Sequence, residues 1–148
     1  MLLLFLFKFK DDQLTAIDTF DVPSFETQKG ETWTFRYAVS DQYSLQVATA
    51  SLTIENTAPV VSTVSISPGT AVNSISEITC NATVDDPDEI PDLIYVWTNE
   101  TTGSQLGSGQ TLVLNSTLVL PNEAVRCTVT ATDSDGVSAT GEATVVVE

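Results

Sequence analysis

Apolar and polar residues alternate one by one along most of this chain. From Ile78, the residues Ile78, Cys80, Ala82 and Val84 fall on one face, and Glu77, Thr79, Asn81 and Thr83 on the other. Around Cys127, the residues Val125, Cys127, Val129 and Ala131 point one way and Arg126, Thr128 and Thr130 the other. A period of two is that of a half-buried β-strand, and no stretch repeats its apolar residues every three or four positions as a helix would. In Leu93-Ile94-Tyr95-Val96-Trp97 the odd positions face inward with Trp97, while Ile94 and Val96 make the other face apolar as well.

These runs predict strands B, F and C of an all-β fold. Two cysteines on facing strands, with a tryptophan from a third strand over them, form the core signature of an antiparallel immunoglobulin-like (Ig-like) β-sandwich. Strand A is predicted at about 60–67 and B at about 77–84, followed by C to Asn99. A short strand follows at Gln105-Leu106, then E at about 110–114, F at about 124–132 and G at about 137–147. The Pro68-Gly69 and Asp133-Ser134-Asp135-Gly136 segments carry turn chemistry.

The chain also repeats itself. At an offset of 92 residues, Trp33, Phe35, Tyr37 and Val39 fall on Val125, Cys127, Val129 and Ala131, and Asp41 falls on Asp133. After one extra residue, Ala50 to Glu55 fall on Ala143 to Glu148. A period near the size of one sandwich domain indicates tandem modules. The same offset lays Phe5 on Trp97, so residues 2–9 are expected to be strand C of a first copy rather than a targeting signal. Their apolar run is short, is not preceded by positive charge, and meets Lys8 at once. It is also too short to span a bilayer. The expected division is 1–57, the C-to-G part of a preceding repeat plus linker, and 58–148, a complete sandwich. The first part would present Phe20, Trp33, Phe35 and Tyr37 without opposing strands A and B.

Composition narrows the functions. Twenty acidic residues against five basic ones give a formal net charge of −15. That balance disfavours nucleic acid and anionic membrane as partners and suits divalent cations or basic partners. There is no histidine, which removes the commonest general base and zinc ligand. Two cysteines cannot form a four-thiolate zinc site. Paired, Cys80 and Cys127 imply an oxidising compartment; unpaired, they are two buried thiols of a cytosolic sandwich.

The stretches Thr53 to Val61, Cys80, Tyr95-Val96-Trp97 and Cys127 to Gly136 resemble tandem Ig-like repeats of large bacterial surface proteins, in the style of PKD and cadherin-like modules. The resemblance implies an extracellular structural or adhesive module. It would neighbour other repeats of the same chain and meet a cell-surface or matrix ligand, with no catalytic residues and no required cofactor. Some such repeats bind calcium. The sequence departs from many Ig domains at Val125, where a corner tyrosine is common.

The acidic loops are the one place with candidate chemistry. Asp85, Asp86, Asp88 and Glu89 lie between strands B and C, and Asp133 and Asp135 lie between F and G. In an Ig sandwich those loops share one end, where strand A also begins, so Glu55 and Asn56 belong to the same candidate set. Carboxylates with an amide oxygen are ligands calcium takes, although Asp and Asn also simply suit turns. The alternative to a spacer is therefore a ligand-binding module using these loops, for calcium or carbohydrate. Paired carboxylates also occur in glycoside hydrolases, but a small sandwich with loop acids offers neither cleft nor aromatic platform. Asn81, Asn99 and Asn115 each begin an Asn-X-Ser/Thr sequon.

Overall fold

The computed structural model describes residues 3–15 and 22–148, with side chains of the first strand described from Leu6 onward. The expected strand around Phe20 lies outside these residues. The chain divides into two compact units, Met1–Thr57 and Ala58–Glu148.

The second unit contains β5 (Val60–Ser67), β6 (Glu77–Asp85), β7 (Asp92–Asn99), β8 (Gln105–Ser108), β9 (Thr111–Val113), β10 (Ala124–Thr132) and β11 (Ser138–Val146). They form two antiparallel sheets, ordered β5-β6-β9 and β11-β10-β7-β8. In Ig terms these are A-B-E and G-F-C-C′, so this unit is an Ig-like β-sandwich. The alternation read from the sequence becomes the pleat. β10 is inward-facing and buried at Val125, Cys127, Val129 and Ala131, with half-buried residues between them.

The core is a continuous cluster that includes Ile78, Cys80, Trp97, Leu114, Val119, Val125, Cys127 and Val129. Cys80 of the first sheet is bonded to Cys127 of the second, with their Cα atoms 6.4 Å apart. The bond closes a loop of 47 residues. It stabilises the fold by about 4 kcal/mol on a chain-entropy account. Trp97 lies directly across the ladder from Cys127 and has no exposed surface. Its indole Nε1 donates to Gly109 O at 2.8 Å, so the one polar atom of the ring is satisfied inside the core.

Two local features explain irregular sequence positions. A Cβ at Gly141 would stand 2.6 Å from Val61 Cγ1 and 2.8 Å from Val64 Cγ2. Glycine in the middle of β11 is therefore what lets this strand close against β5 of the other sheet. A register shift between Val61 and Thr63 bends β5 at the same place.

The first unit contains β1 (Leu3–Lys10), β2 (Gln13–Thr15), a helical turn at Ser24–Glu26, β3 (Thr32–Ser40) and β4 (Leu45–Thr53). Among the described residues its strands form one four-stranded antiparallel sheet, ordered β2-β1-β3-β4. Followed along the chain, this is the path that β7, β8, β10 and β11 take in the second unit.

The register corrects one expectation. Phe5 does not occupy the place of Trp97. Trp97 pairs with Cys127, whereas Phe35, which stands where Cys127 does, pairs with Lys8. The turn between β1 and β2, with Asp11 and Asp12 both at positive φ, is shorter than its counterpart, and β1 is displaced by three residues against the sequence offset.

Three cross-strand rows consequently share one face of this sheet: Lys10, Trp33 and Leu52; Lys8, Phe35 and Ala50; Leu6, Tyr37 and Ala48. Trp33 is buried, with the Lys8 and Lys10 ammonium groups 5.5 and 5.7 Å from its ring centroid. Its Nε1 donates to Glu31 Oε2 at 3.3 Å. Lys10 pairs with Glu31 and holds its carboxyl below the usual carboxylate range, against the opposing effect of desolvation. Tyr37 and Leu52 on this face are about half exposed.

Exposed apolar side chains such as Tyr37 and Leu52 drive association when nothing covers them. Residues 58–148 expressed alone should be monomeric and unfold cooperatively, and residues 1–57 alone should self-associate. Sedimentation velocity on the two fragments checks this, and a monomeric, cooperatively unfolding 1–57 would contradict it.

Candidate functional site

The loop joining β6 to β7 (86–91) and the turn joining β10 to β11 (133–137) meet at one end of the sandwich. The first strand of the pair ends at Asp85, in register with Val60 at the start of β5. Pro87 and Pro91 keep the first loop out of the ladder. In the second, Asp133 builds the turn. Its Oδ1 accepts from Val137 N at 2.7 Å, its N–H donates to Val137 O, and Gly136 N donates to Asp133 O, with Gly136 at φ +81°. The loops are joined by Glu89, whose Oε1 accepts from Ser134 N at 2.6 Å and from Ser134 Oγ at 2.8 Å.

This arrangement brings Asp86, Glu89 and Asp133 together. One carboxylate oxygen of each lies within 4.8 Å of the others, and Asp133 is buried while the other two are half-buried. Asp86 Oδ1 accepts from Asp88 N at 2.9 Å. Asp86 Oδ2 is buried and has no hydrogen-bond partner among the described residues. A buried carboxylate oxygen without a donor is costly. Oxygens up to 4.8 Å apart fit around one cation at the distance of about 2.4 Å that calcium prefers.

Of the residues singled out in the sequence, Asp86 and Asp133 meet in this group, joined by Glu89. Asp85, at the exposed end of β6, and Asp88 and Asp135 are not part of the three-carboxylate group. Glu55 and Asn56 belong to the first unit. Neither loop carries an aromatic residue. Glu89 was visible as one more acid of the loop; its span to Ser134 depends on a contact across 45 residues.

The three sequons separate sharply. Asn81 and Asn115 are exposed, whereas Asn99 is 1% exposed at the end of β7. Asn99 Nδ2 donates to Leu118 O at 3.3 Å and to Glu123 Oε2 at 2.8 Å, and its Oδ1 accepts from Thr101 N and Thr102 N. The side chain thus ties the β7–β8 turn to the crossing that leads into β10. The run Asn99-Glu100-Thr101-Thr102-Gly103 carries an Asx-turn signature, so the turn half of this role was readable. The partners 19 and 24 residues away were not.

Among solved structures, the chain is similar to a chimeric titin Z1Z2 functionalised with a KLER exogenous peptide from decorin, at 14% identity and a TM-score of 0.38, covering 98% of this chain and 82% of that one. No protein-family model and no curated protein matches the chain. The Ig-like assignment stands on strand order and core. The Cys80–Cys127 bond is a feature of proteins that fold in oxidising, non-cytoplasmic compartments. No helix among the described residues is long and apolar enough to cross a membrane.

Replacing Asn99 by Ala takes the donor from Leu118 O and the acceptor from Thr101 N and Thr102 N, while Glu123 Oε2 keeps Leu120 N. Asn99→Ala should destabilise residues 58–148 by about 2 kcal/mol. The urea midpoint of the variant against the parent measures it, and an unchanged midpoint would show that water replaces the network.

Proposed function

We propose that the chain is an extracellular structural and adhesive module built from tandem Ig-like repeats, of the kind that large surface proteins string together as stalks. The observation that carries this reading is the shared strand path: a β2-β1-β3-β4 sheet in one unit and a β8-β7-β10-β11 sheet in the next, on either side of a short Pro-containing segment. The resemblance of Thr53 to Val61 and Cys127 to Gly136 to bacterial PKD-like and cadherin-like repeats supports it, as does a covalent bond between the sheets of the second unit. Neighbouring repeats and a cell-surface or matrix ligand are the partners this reading names, and it assigns no catalytic residue.

A spacer must bear load. In single-molecule pulling, residues 58–148 should unfold in one discrete event, and the 47 residues inside the disulfide loop should stay closed until reductant is added. Reduction should then lengthen the released contour by about 160 Å, at roughly 3.4–3.6 Å per residue. A unit that extends gradually, without a force peak, would argue against a mechanical role.

The second reading is cation binding at the acidic end, favoured by the unpartnered Asp86 Oδ2 beside Glu89 and Asp133. Calcium fits the all-oxygen donor set better than magnesium, which needs a tighter octahedron than these loops offer. Bound at a hundredfold excess over its dissociation constant, it would add about 2.7 kcal/mol. The melting temperature of the full chain should then rise with millimolar calcium, and Asp86→Asn or Asp133→Asn should abolish the rise. A shift no larger than sodium chloride produces at equal ionic strength would assign the carboxylates to solubility alone. A carbohydrate at this end lacks an aromatic platform to stack on.

A further inference from the structure

Three Asn-X-Ser/Thr triplets are present, and nothing in a spacer or cation-site role uses them. The fold distinguishes them by the state of the acceptor nitrogen. At Asn99, Nδ2 is enclosed and already donates to Leu118 O and Glu123 Oε2, so a sugar on that nitrogen would displace both partners and open the core edge. At Asn81, on β6 in register with Ser65, the side chain is exposed. At Asn115, just after β9, the triplet is folded back on itself. Thr117 N donates to Asn115 Oδ1 at 3.0 Å and the Thr117 hydroxyl donates to the same oxygen at 2.5 Å. Asn115 Nδ2 makes no hydrogen bond with the described residues. The hydroxyl is engaged with the amide oxygen, and the nitrogen is the end of the amide that stays open to solvent.

We propose that Asn81 and Asn115 are acceptors for N-linked oligosaccharide and that Asn99 is excluded by the fold. The donor class is a lipid-pyrophosphate-linked oligosaccharide. The amide nitrogen attacks the anomeric carbon, a C–N bond forms, the bond from that carbon to the pyrophosphate oxygen breaks, and the lipid pyrophosphate leaves. The amide proton passes to a base of the transferase, and no electron is gained or lost. The compartment is consistent with the chemistry, because a secretory lumen, one of the oxidising compartments in which a Cys80–Cys127 bond forms, is also where such transfer takes place. Exposure on a strand and on a turn leaves both sugars in solvent.

The full chain, secreted from a eukaryotic culture, tests this by intact mass before and after treatment with a glycan-releasing amidase, and by peptide mapping of the deamidation left at each occupied site. Two glycans are expected. Asn81→Gln should remove one, and Asn115→Gln should remove the other. Thr117→Val, which spoils the same triplet while keeping Asn115, should match Asn115→Gln. Thr101→Val, which spoils the third triplet while keeping Asn99 and its hydrogen bonds, should leave the mass of attached glycan unchanged. An unmodified Asn81 or Asn115 in the secreted chain, or a glycan on Asn99, would overturn the assignment.

Discussion

The second unit depends on the bond between Cys80 and Cys127 and the indole packed beside it. The inner faces of the two sheets it joins are mainly methyl groups and rings, which attract without orientation. The disulfide fixes the distance between the sheets, and Trp97, opposite Cys127 on the neighbouring strand, fills the space around it. Its Nε1–H to Gly109 reaches the turn between β8 and β9, so one side chain sets both core volume and the position of that turn. Gly141 completes the closure, because strand β11 meets Val61 and Val64 only where a Cβ is missing.

The first unit solves the same problem with different chemistry. Where the second unit sets Trp97 against a cysteine, the first sets Lys8 against Phe35. Its tryptophan lies on β3, faced by two ammonium groups and hydrogen-bonded to Glu31. A buried tryptophan flanked by cations gains from the ring quadrupole, and the Lys10–Glu31 pair balances one of the charges. Such an arrangement is more sensitive to acid than a disulfide. Glu31 titrates below its ordinary range when folded, so its contribution is present above the unfolded pKa and is lost as the pH falls through the folded one.

The acidic end of the sandwich joins stability and function. Asp133 spends one oxygen on Val137 and Glu89 one on Ser134, which order the two loops. Asp86 keeps an oxygen buried without a donor. In a chain of net charge −15, a third carboxylate held beside two others is unfavourable by itself. The loops therefore combine good local turn chemistry with a local electrostatic cost that a cation or a basic partner would relieve.

The strands of the second unit, the sandwich class and Cys80, Cys127 and Trp97 at its centre were legible in the sequence, because alternation with period two is a local property that burial on one face imposes on every strand. β10 was bounded at 124 and 132 from its alternation, and the structure has it as Ala124–Thr132. The acids of the two loops were legible as a group at one end, since strand order decides which loops are neighbours. Other matters waited on tertiary structure. The pairing of Lys8 with Phe35 was invisible, because register depends on the length of the β1–β2 turn and not on the pattern within either strand. The choice of Asp86, Glu89 and Asp133 among the acids depends on where each side chain ends, over separations that local pattern cannot measure. Asn99 reads as a sequon like Asn81 and Asn115. It is a buried brace because Leu118 and Glu123 arrive from the far side of the fold, and only the packed sandwich brings them within hydrogen-bond reach.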